Sequence, residues 1–419
     1  MRFWYSVPSR AMCRRMAASA GVGVSAIVLY GALKEPAAMY SRRKALADAN
    51  GKKPEFGSER AGRWRADWAC IGANVATEDR MVVQKVGQDG VLCCVFDGHY
   101  GPRAAEFCKN NVLNYVNTSR DGNDAPEASM TRVFQMLESG WIRMANSMVD
   151  KGDWTSSLEG ACALVAHVSP THLTVGNLGD CRAVLFQEEG GELTAVQLTQ
   201  EHNASNPDER SRIQGEHPGE DDAVQFVDAS GSWYVKGTLQ VSRAIGDLFL
   251  KDRTFHSALP DHVRPFVGGE LKTPPYVSIR PDVIERKLEE KDLFLVLASD
   301  GLWDELTNEQ CAAAMTAMGA AVGLAKRSKA ASGSWVDELG RGGETRQERE
   351  AAESIDEMLR EEGELTHPSS RLLWTALREN PVAQRFGLQF VLNIEQGAGR
   401  RQVHDDISIV VLWLRPPPQ

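Results

Sequence analysis

Three aspartates far apart in the chain each stand at the edge of an apolar run. Val91 to Phe96 leads into Asp97-Gly98-His99, Leu293 to Ala298 leads into Ser299-Asp300-Gly301, and His404-Asp405-Asp406 opens onto Ile407 to Leu412. Apolar runs of this length, with β-branched and aromatic content, predict strands buried on both faces. A carboxylate at the mouth of such a strand is held rigidly and is partly desolvated. One such residue is ordinary, because Asp-Gly alone marks a turn. Three predict convergence on hard divalent cations such as Mg²⁺ or Mn²⁺. Two ions about 4 Å apart would clamp a group undergoing phosphoryl hydrolysis. Gly98 has no Cβ, so its carbonyl can approach a cation closely. His99, with an ordinary pKa near 6.5, suits protonation of a leaving alkoxide.

Further segments accompany these in a fixed order. Glu78-Asp79-Arg80 comes first and Val95-Phe96-Asp97-Gly98-His99 second. Gly176-Asn177-Leu178-Gly179-Asp180-Cys181-Arg182-Ala183 and Val241-Ser242-Arg243-Ala244-Ile245-Gly246-Asp247 follow. Ala298-Ser299-Asp300-Gly301-Leu302-Trp303-Asp304 and His404-Asp405-Asp406-Ile407-Ser408 close the series. On these segments the chain resembles the metal-dependent serine/threonine protein phosphatases of type 2C, the PPM family, over roughly residues 65–415.

The resemblance implies a role for each matching residue. Asp97 would bridge two metal ions, Mg²⁺ or Mn²⁺, with Asp300 and Asp405 completing the ligands of the first. The Gly98 carbonyl would bind the second, and Glu78 and Asp79 would act there directly or through water. His99 would be the general acid. Asp180 and Asp304 match positions that help a weaker third metal in some members. Water would attack phosphorus in line, with no phosphoenzyme. The implied fold is α+β, a four-layer α-β-β-α sandwich of two antiparallel sheets flanked by helices.

One position departs from the pattern. Many members carry a phosphate-gripping arginine four residues before the first-motif glutamate, and here that residue is Asn74. Asparagine lacks the cationic fork of arginine. The phosphate-binding residue is therefore unassigned, with Arg80 a candidate and a structural ion pair its equal alternative. Ala73-Asn74-Val75-Ala76-Thr77-Glu78-Asp79-Arg80, together with Glu201-His202-Asn203-Ala204, Thr273-Pro274-Pro275-Tyr276 and His404-Asp405-Asp406, resembles the pyruvate dehydrogenase phosphatase branch and some plant-type members.

The 419 residues carry a formal net charge of −10 and are 42% hydrophobic. That balance disfavours phosphate-driven nucleic-acid binding, and with it a two-metal nuclease. Eight cysteines without Cys-x-x-Cys or zinc-type spacing fit a reducing compartment. Cys181 reads as a serine-sized packing residue. The N-terminus is arginine-rich, with Glu35 its first acid, and Met16 to Leu33 is uncharged. Residues 1–33 read as a mitochondrial leader or a membrane anchor through 16–33, and the expected location is the matrix or inner membrane. The alternative is anchoring at another membrane.

Residues 34–63 read as a linker and 64–415 as the catalytic domain, with an insertion at about 316–365. Helices are expected over 103–116 and 130–148, with 119–127 a loop between them. Residues 200–275 are expected to be irregular and to contact substrate, with His202, His217, His256 and His262 on surface loops. The expected partner is a phosphorylated protein, with a mitochondrial dehydrogenase complex as a candidate by resemblance. A catalytically inactive scaffold is the competing reading, disfavoured because Asp97, Asp300 and Asp405 all survive.

Overall fold

The computed structural model describes residues 54–120, 125–190, 192–318, 367–386, 388–394 and 396–415. The leader, the linker before residue 54 and the insertion from 319 to 365 lie outside the described residues.

Two antiparallel sheets form the centre. The first runs in the order β1 (Glu55–Ala61), β2 (Trp64–Ile71), β14 (Ile407–Trp413), β13 (Asp292–Ala298), β7 (Arg182–Glu189), β8 (Glu192–Gln197). The second runs β12 (Asp282–Lys287), β6 (His172–Leu178), β5 (Gly160–Val168), β4 (Gly90–His99), β3 (Arg80–Val86), and the two-residue β11 (Ile245–Gly246) pairs with β5. A small hairpin, β9 (Val224–Val227) with β10 (Ser232–Val235), stands apart from both.

The three apolar runs become central strands with side chains on two cores. In β4, Val91, Cys93 and Val95 face between the sheets, while Leu92, Cys94 and Phe96 face helices. In β14, Val410 and Leu412 take the inner core, and Ile407, Ile409, Val411 and Trp413 the outer one. Alternation of period two with both faces buried produces the continuous apolar run. Helices α1 (Arg103–Arg120) and α2 (Pro126–Val149) cover the second sheet through Val112, Phe134, Leu137 and Trp141. Helices α6 (Asp300–Trp303), α7 (Asn308–Thr316) and α8 (Pro368–Glu379) cover the first through Leu302, Met315, Leu373 and Trp374. The short helices α9 (Pro381–Phe386) and α10 (Leu388–Asn393) follow. The result is the expected α-β-β-α sandwich.

Three expectations need correction. β1 occupies 55–61, inside the expected linker. It is an edge strand with most of its residues exposed or half-buried, so it carries no apolar signal. The expected loop at 119–127 is shorter, because α1 continues to Arg120 and α2 starts at Pro126, where proline suits the first helical turn.

The 200–275 stretch is more ordered than expected. It holds α3 (Pro207–Glu216), the hairpin, α4 (Leu248–Lys251) and α5 (Arg253–Ser257). Ile213, Val235, Val241, Phe249, Leu250 and Val267 pack it onto the inter-sheet core, and polar networks add to that packing. Arg243 donates to Glu209, Asp282 and the Arg280 carbonyl, and Lys236 pairs with Asp222 at 2.7 Å. His202, His217 and His256 are buried rather than on surface loops, with partners Asp282 at 2.9 Å, Thr273 at 2.7 Å and the Phe249 carbonyl at 3.2 Å.

Candidate active site

The strand ends of both sheets meet at one place. Asp97 lies near the end of β4, opposite Cys162 of β5. Asp180 follows Gly179 in the β6–β7 turn and accepts from the Cys162 thiol at 3.1 Å. Asp300 opens α6 directly after β13. Carboxylate oxygens of Asp97, Asp180 and Asp300 all lie within 4.8 Å of one another. Burial pushes all three carboxyls up, Asp180 to about 6, and the charge of Asp300 on Asp97 and of Asp180 on Asp300 pushes the same way. Like charges at this spacing, one buried and two half-buried, repel unless a cation intervenes. The donors are hard oxygens, which suit Mg²⁺ or Mn²⁺. Asp180, expected only at a weaker third site, thus stands in the central trio.

Asp405 sits beside this trio, just before β14. Its charge raises the carboxyls of Asp97 and Asp300, and it accepts from Arg401 Nη2 at 2.8 Å. Asp304 is exposed one helical turn beyond Asp300, and its backbone N–H donates to the Asp300 carbonyl at 2.8 Å. Gly98 packs where a side chain could not. An added Cβ would lie 2.7 Å from the Glu78 carbonyl oxygen. The β4 end and the Glu78 loop can therefore close on each other only at glycine.

Glu78 and Asp79 lie on the loop between β2 and β3. Burial raises the Glu78 carboxyl to about 8, with Arg401 opposing and Asp406 and Asp405 adding to the rise. Burial likewise raises Asp79, which accepts from Ser299 Oγ at 2.8 Å.

Asp406 fixes this loop, and sequence reasoning gave it no role. It accepts from Ala73 N at 2.6 Å, Asn74 N at 3.0 Å, Asn74 Nδ2 at 3.1 Å and Glu78 N at 2.7 Å. Asn74 Nδ2 also donates to Glu78 at 3.1 Å, so Asn74 orients that carboxylate. Arg80 donates to Glu106 and to the Thr77 and Asp79 carbonyls at 2.7 and 2.8 Å. It locks the loop to α1 through the kind of structural ion pair weighed as the alternative for Arg80.

His99 is the ring beside the trio. Its Nε2 contacts Asp247 Oδ1 at 2.8 Å and Oδ2 at 3.0 Å, and Asp247 is fully buried. Burial lowers the His99 pKa, but the Asp247 charge and hydrogen bond outweigh it and leave it raised. This contact directs the Nε2 hydrogen toward Asp247. Gly160 makes room for the pair, since a Cβ there would lie 2.4 Å from both Asp247 Oδ2 and His99 Nε2. Asp247 has φ 52°, in the left-handed region that aspartate tolerates better than most residues. The Gly246-Asp247 pair was legible as a motif, but its reach to His99 was not.

The seven described cysteines are free thiols. Cys181 is fully buried and burial raises its pKa, as expected of a packing residue.

Comparison with known proteins agrees with this geometry. The family model described as Protein phosphatase 2C matches residues 69–329. The rice (Oryza sativa subsp. japonica) Probable protein phosphatase 2C 36 is 35% identical over 58% of this chain and 63% of its own length. The rice Probable protein phosphatase 2C 25 is 30% identical over 86% of this chain and 80% of its own. The chain thus spans less than two thirds of the first relative and four fifths of the second. Among solved structures, the serine-threonine phosphatase 2C from Toxoplasma gondii aligns with a TM-score of 0.52 at 18% identity, over 86% of this chain and 99% of that one. A C. elegans sex determining protein aligns with a TM-score of 0.50 at 16% identity, over 87% of this chain and 65% of that one. The two structures bear on the fold alone. With the family model covering most of the domain around these carboxylates, the chain belongs to the protein phosphatase 2C family of metal-dependent serine/threonine phosphatases.

Proposed function

We propose that the protein hydrolyses phosphoserine and phosphothreonine in proteins, using Mg²⁺ or Mn²⁺ and a water nucleophile. The Asp97, Asp180 and Asp300 cluster carries this reading, because it concentrates one buried and two half-buried carboxylates that a divalent cation would neutralise. Asp97, Asp180, Asp300 and Asp405, with the Gly98 carbonyl, would hold the ions. Bound there, divalent ions supply an activated water and neutralise charge on the phosphoryl oxygens. Glu78 and Asp79, set by Asp406 and Ser299, orient water at the edge of the cluster. His99, held by Asp247, gives the proton to the departing serine or threonine oxygen.

The narrower readings rest on sequence. The Asn74 to Arg80 and His404 to Asp406 segments support the pyruvate dehydrogenase phosphatase-like branch, and the arginine-rich leader supports a mitochondrial address. A dehydrogenase complex is then the candidate substrate. Among the described residues no helix is long and apolar enough to cross a membrane, and residues 16–33 lie outside them. Fractionation of cells expressing the tagged full chain tests the address. Recovery away from mitochondria would remove it and the dehydrogenase substrate together.

Phosphate release from a phosphothreonine peptide by the full chain tests the activity. Release with Mn²⁺, abolished by EDTA and by Asp300→Ala, is the expected result. Folded protein that releases nothing in any divalent ion would end the proposal.

A further inference from the structure

We infer that Arg401 is the residue that grips the substrate's phosphoryl group, a role that rests on the phosphatase reading above. A phosphate dianion arriving at so many carboxylates needs a guanidinium to orient it, and bidentate arginine is the best-suited partner. Position 74 offers no cation. Arg80 is spent on Glu106 and two carbonyls, Arg103 on Glu159 and Asp153, and Arg182 on Glu201 and Asn308. Arg401 differs because its two ion-pair partners are site carboxylates. Its Nη2 lies 2.8 Å from Asp405 Oδ2 and its Nη1 3.5 Å from Glu78 Oε2. It therefore spans the mouth between the β14 entry and the first-motif loop.

Its placement is built rather than incidental. The neighbouring Arg400 is fully buried and donates to the backbone carbonyls of Gly72 at 3.1 Å, Leu392 at 2.8 Å and Ile394 at 3.0 Å. Gly397 N donates to the Ala73 carbonyl at 2.7 Å, and Gln396 Nε2 to the Gly72 carbonyl at 3.1 Å. These bonds dock the 396–402 segment on the loop that carries Asn74 and Glu78. The Arg401 side chain remains 36% exposed. It makes one hydrogen bond among the described residues, to Asp405, out of five N–H donors. Donors remain for a second anion at the mouth.

The test compares full-length wild type, Arg401→Ala and Arg401→Lys in Mg²⁺. Steady-state turnover of a phosphothreonine peptide is one readout, and calorimetric binding of inorganic phosphate, which needs no catalysis, is the other. Arg401→Ala should raise the peptide KM and weaken phosphate binding about 10- to 100-fold. Arg401→Lys should recover part of both, and added guanidinium should partly rescue the alanine variant. A thermal melt separates these effects from unfolding. An active wild type with phosphate binding unchanged in Arg401→Ala overturns the role of Arg401 and leaves the phosphatase reading standing. An inactive wild type whose phosphate binding still depends on Arg401 overturns the phosphatase reading and keeps the anion contact. Loss of activity and of phosphate binding in wild type itself removes both.

Discussion

Replacing Arg243 by alanine should destabilise the domain by about 3 kcal/mol at neutral pH, the low end for breaking a buried ion pair. Glu209 is 4% exposed and Arg243 7% exposed. Arg243 meets both Glu209 oxygens, with Nε at 3.2 and 3.1 Å and Nη2 at 2.5 Å. Its Nη1 reaches Asp282 at 2.8 Å and the Arg280 carbonyl at 3.0 Å. Burial alone would raise the Glu209 carboxyl. Hydrogen bonds from Arg243, Arg212 and Ser242 outweigh it and hold the group at about 2, well below the usual glutamate range. At about 1.4 kcal/mol per pKa unit, that depression corresponds to about 3 kcal/mol shared among those partners. After truncation Glu209 keeps Arg212 at 2.7 Å and Ser242 at 2.5 Å, which places the cost at the low end.

The sign with pH follows from linkage. A carboxyl depressed in the folded state contributes stability that is present above its unfolded value and lost as pH falls toward about 2. The gap between wild type and Arg243→Ala should therefore narrow as pH falls from 5 to 3. At roughly 2 cal/mol/K per residue, a domain of this length shifts by roughly 1–2 °C per kcal/mol, so the neutral melt should fall by about 4 °C. Urea denaturation at both pH values gives the free energies directly. A gap under 1 kcal/mol at neutral pH, or one that stays constant with acid, would refute the reasoning.

Two further variants probe the site. Asp247→Asn removes the charge that raises His99, and phosphothreonine-peptide turnover should fall about 10- to 100-fold. Turnover of p-nitrophenyl phosphate, whose leaving group needs no proton, should fall far less, and equal losses would deny His99 the acid role. Asp406→Ala orphans the N–H groups of Ala73, Asn74 and Glu78, should cost about 3 kcal/mol or more, and should lower peptide turnover. Wild-type stability and turnover would show that the loop needs no such anchor.

Much of this was legible in the chain, for a physical reason. β4, β13 and β14 are buried on both faces, so they wrote themselves as continuous apolar runs, and Asp97 and Asp300 stood at their ends. Two helices followed from their apolar periodicity, and the four-layer order from the family resemblance. β1 was hidden because an edge strand with a polar face has no apolar period. Asp405 was singled out by the resemblance alone, and nothing in the pattern gave Asp406 its anchoring role, because neighbours at a strand entry differ only in direction. One faces the cluster, while the other turns back to hold the Asn74 loop. Asp180 reached the central trio through a turn folded against Cys162, a tertiary contact without a local signal. The buried histidines were misread because their partners are distant in sequence: Asp282 is 80 residues from His202, and Thr273 is 56 from His217. Arg401 lay in a stretch without recognisable pattern, and only the docking of Arg400 on Gly72 brings it to the mouth.

The most direct test of the central claim is Mn²⁺ binding by electron paramagnetic resonance on the full chain, with wild type compared to Asp97→Asn, Asp180→Asn and Asp300→Asn. The account predicts that wild type binds Mn²⁺ in proportion to its phosphate release, and that each variant, still folded, loses both together. Wild-type Mn²⁺ binding in all three variants would contradict it.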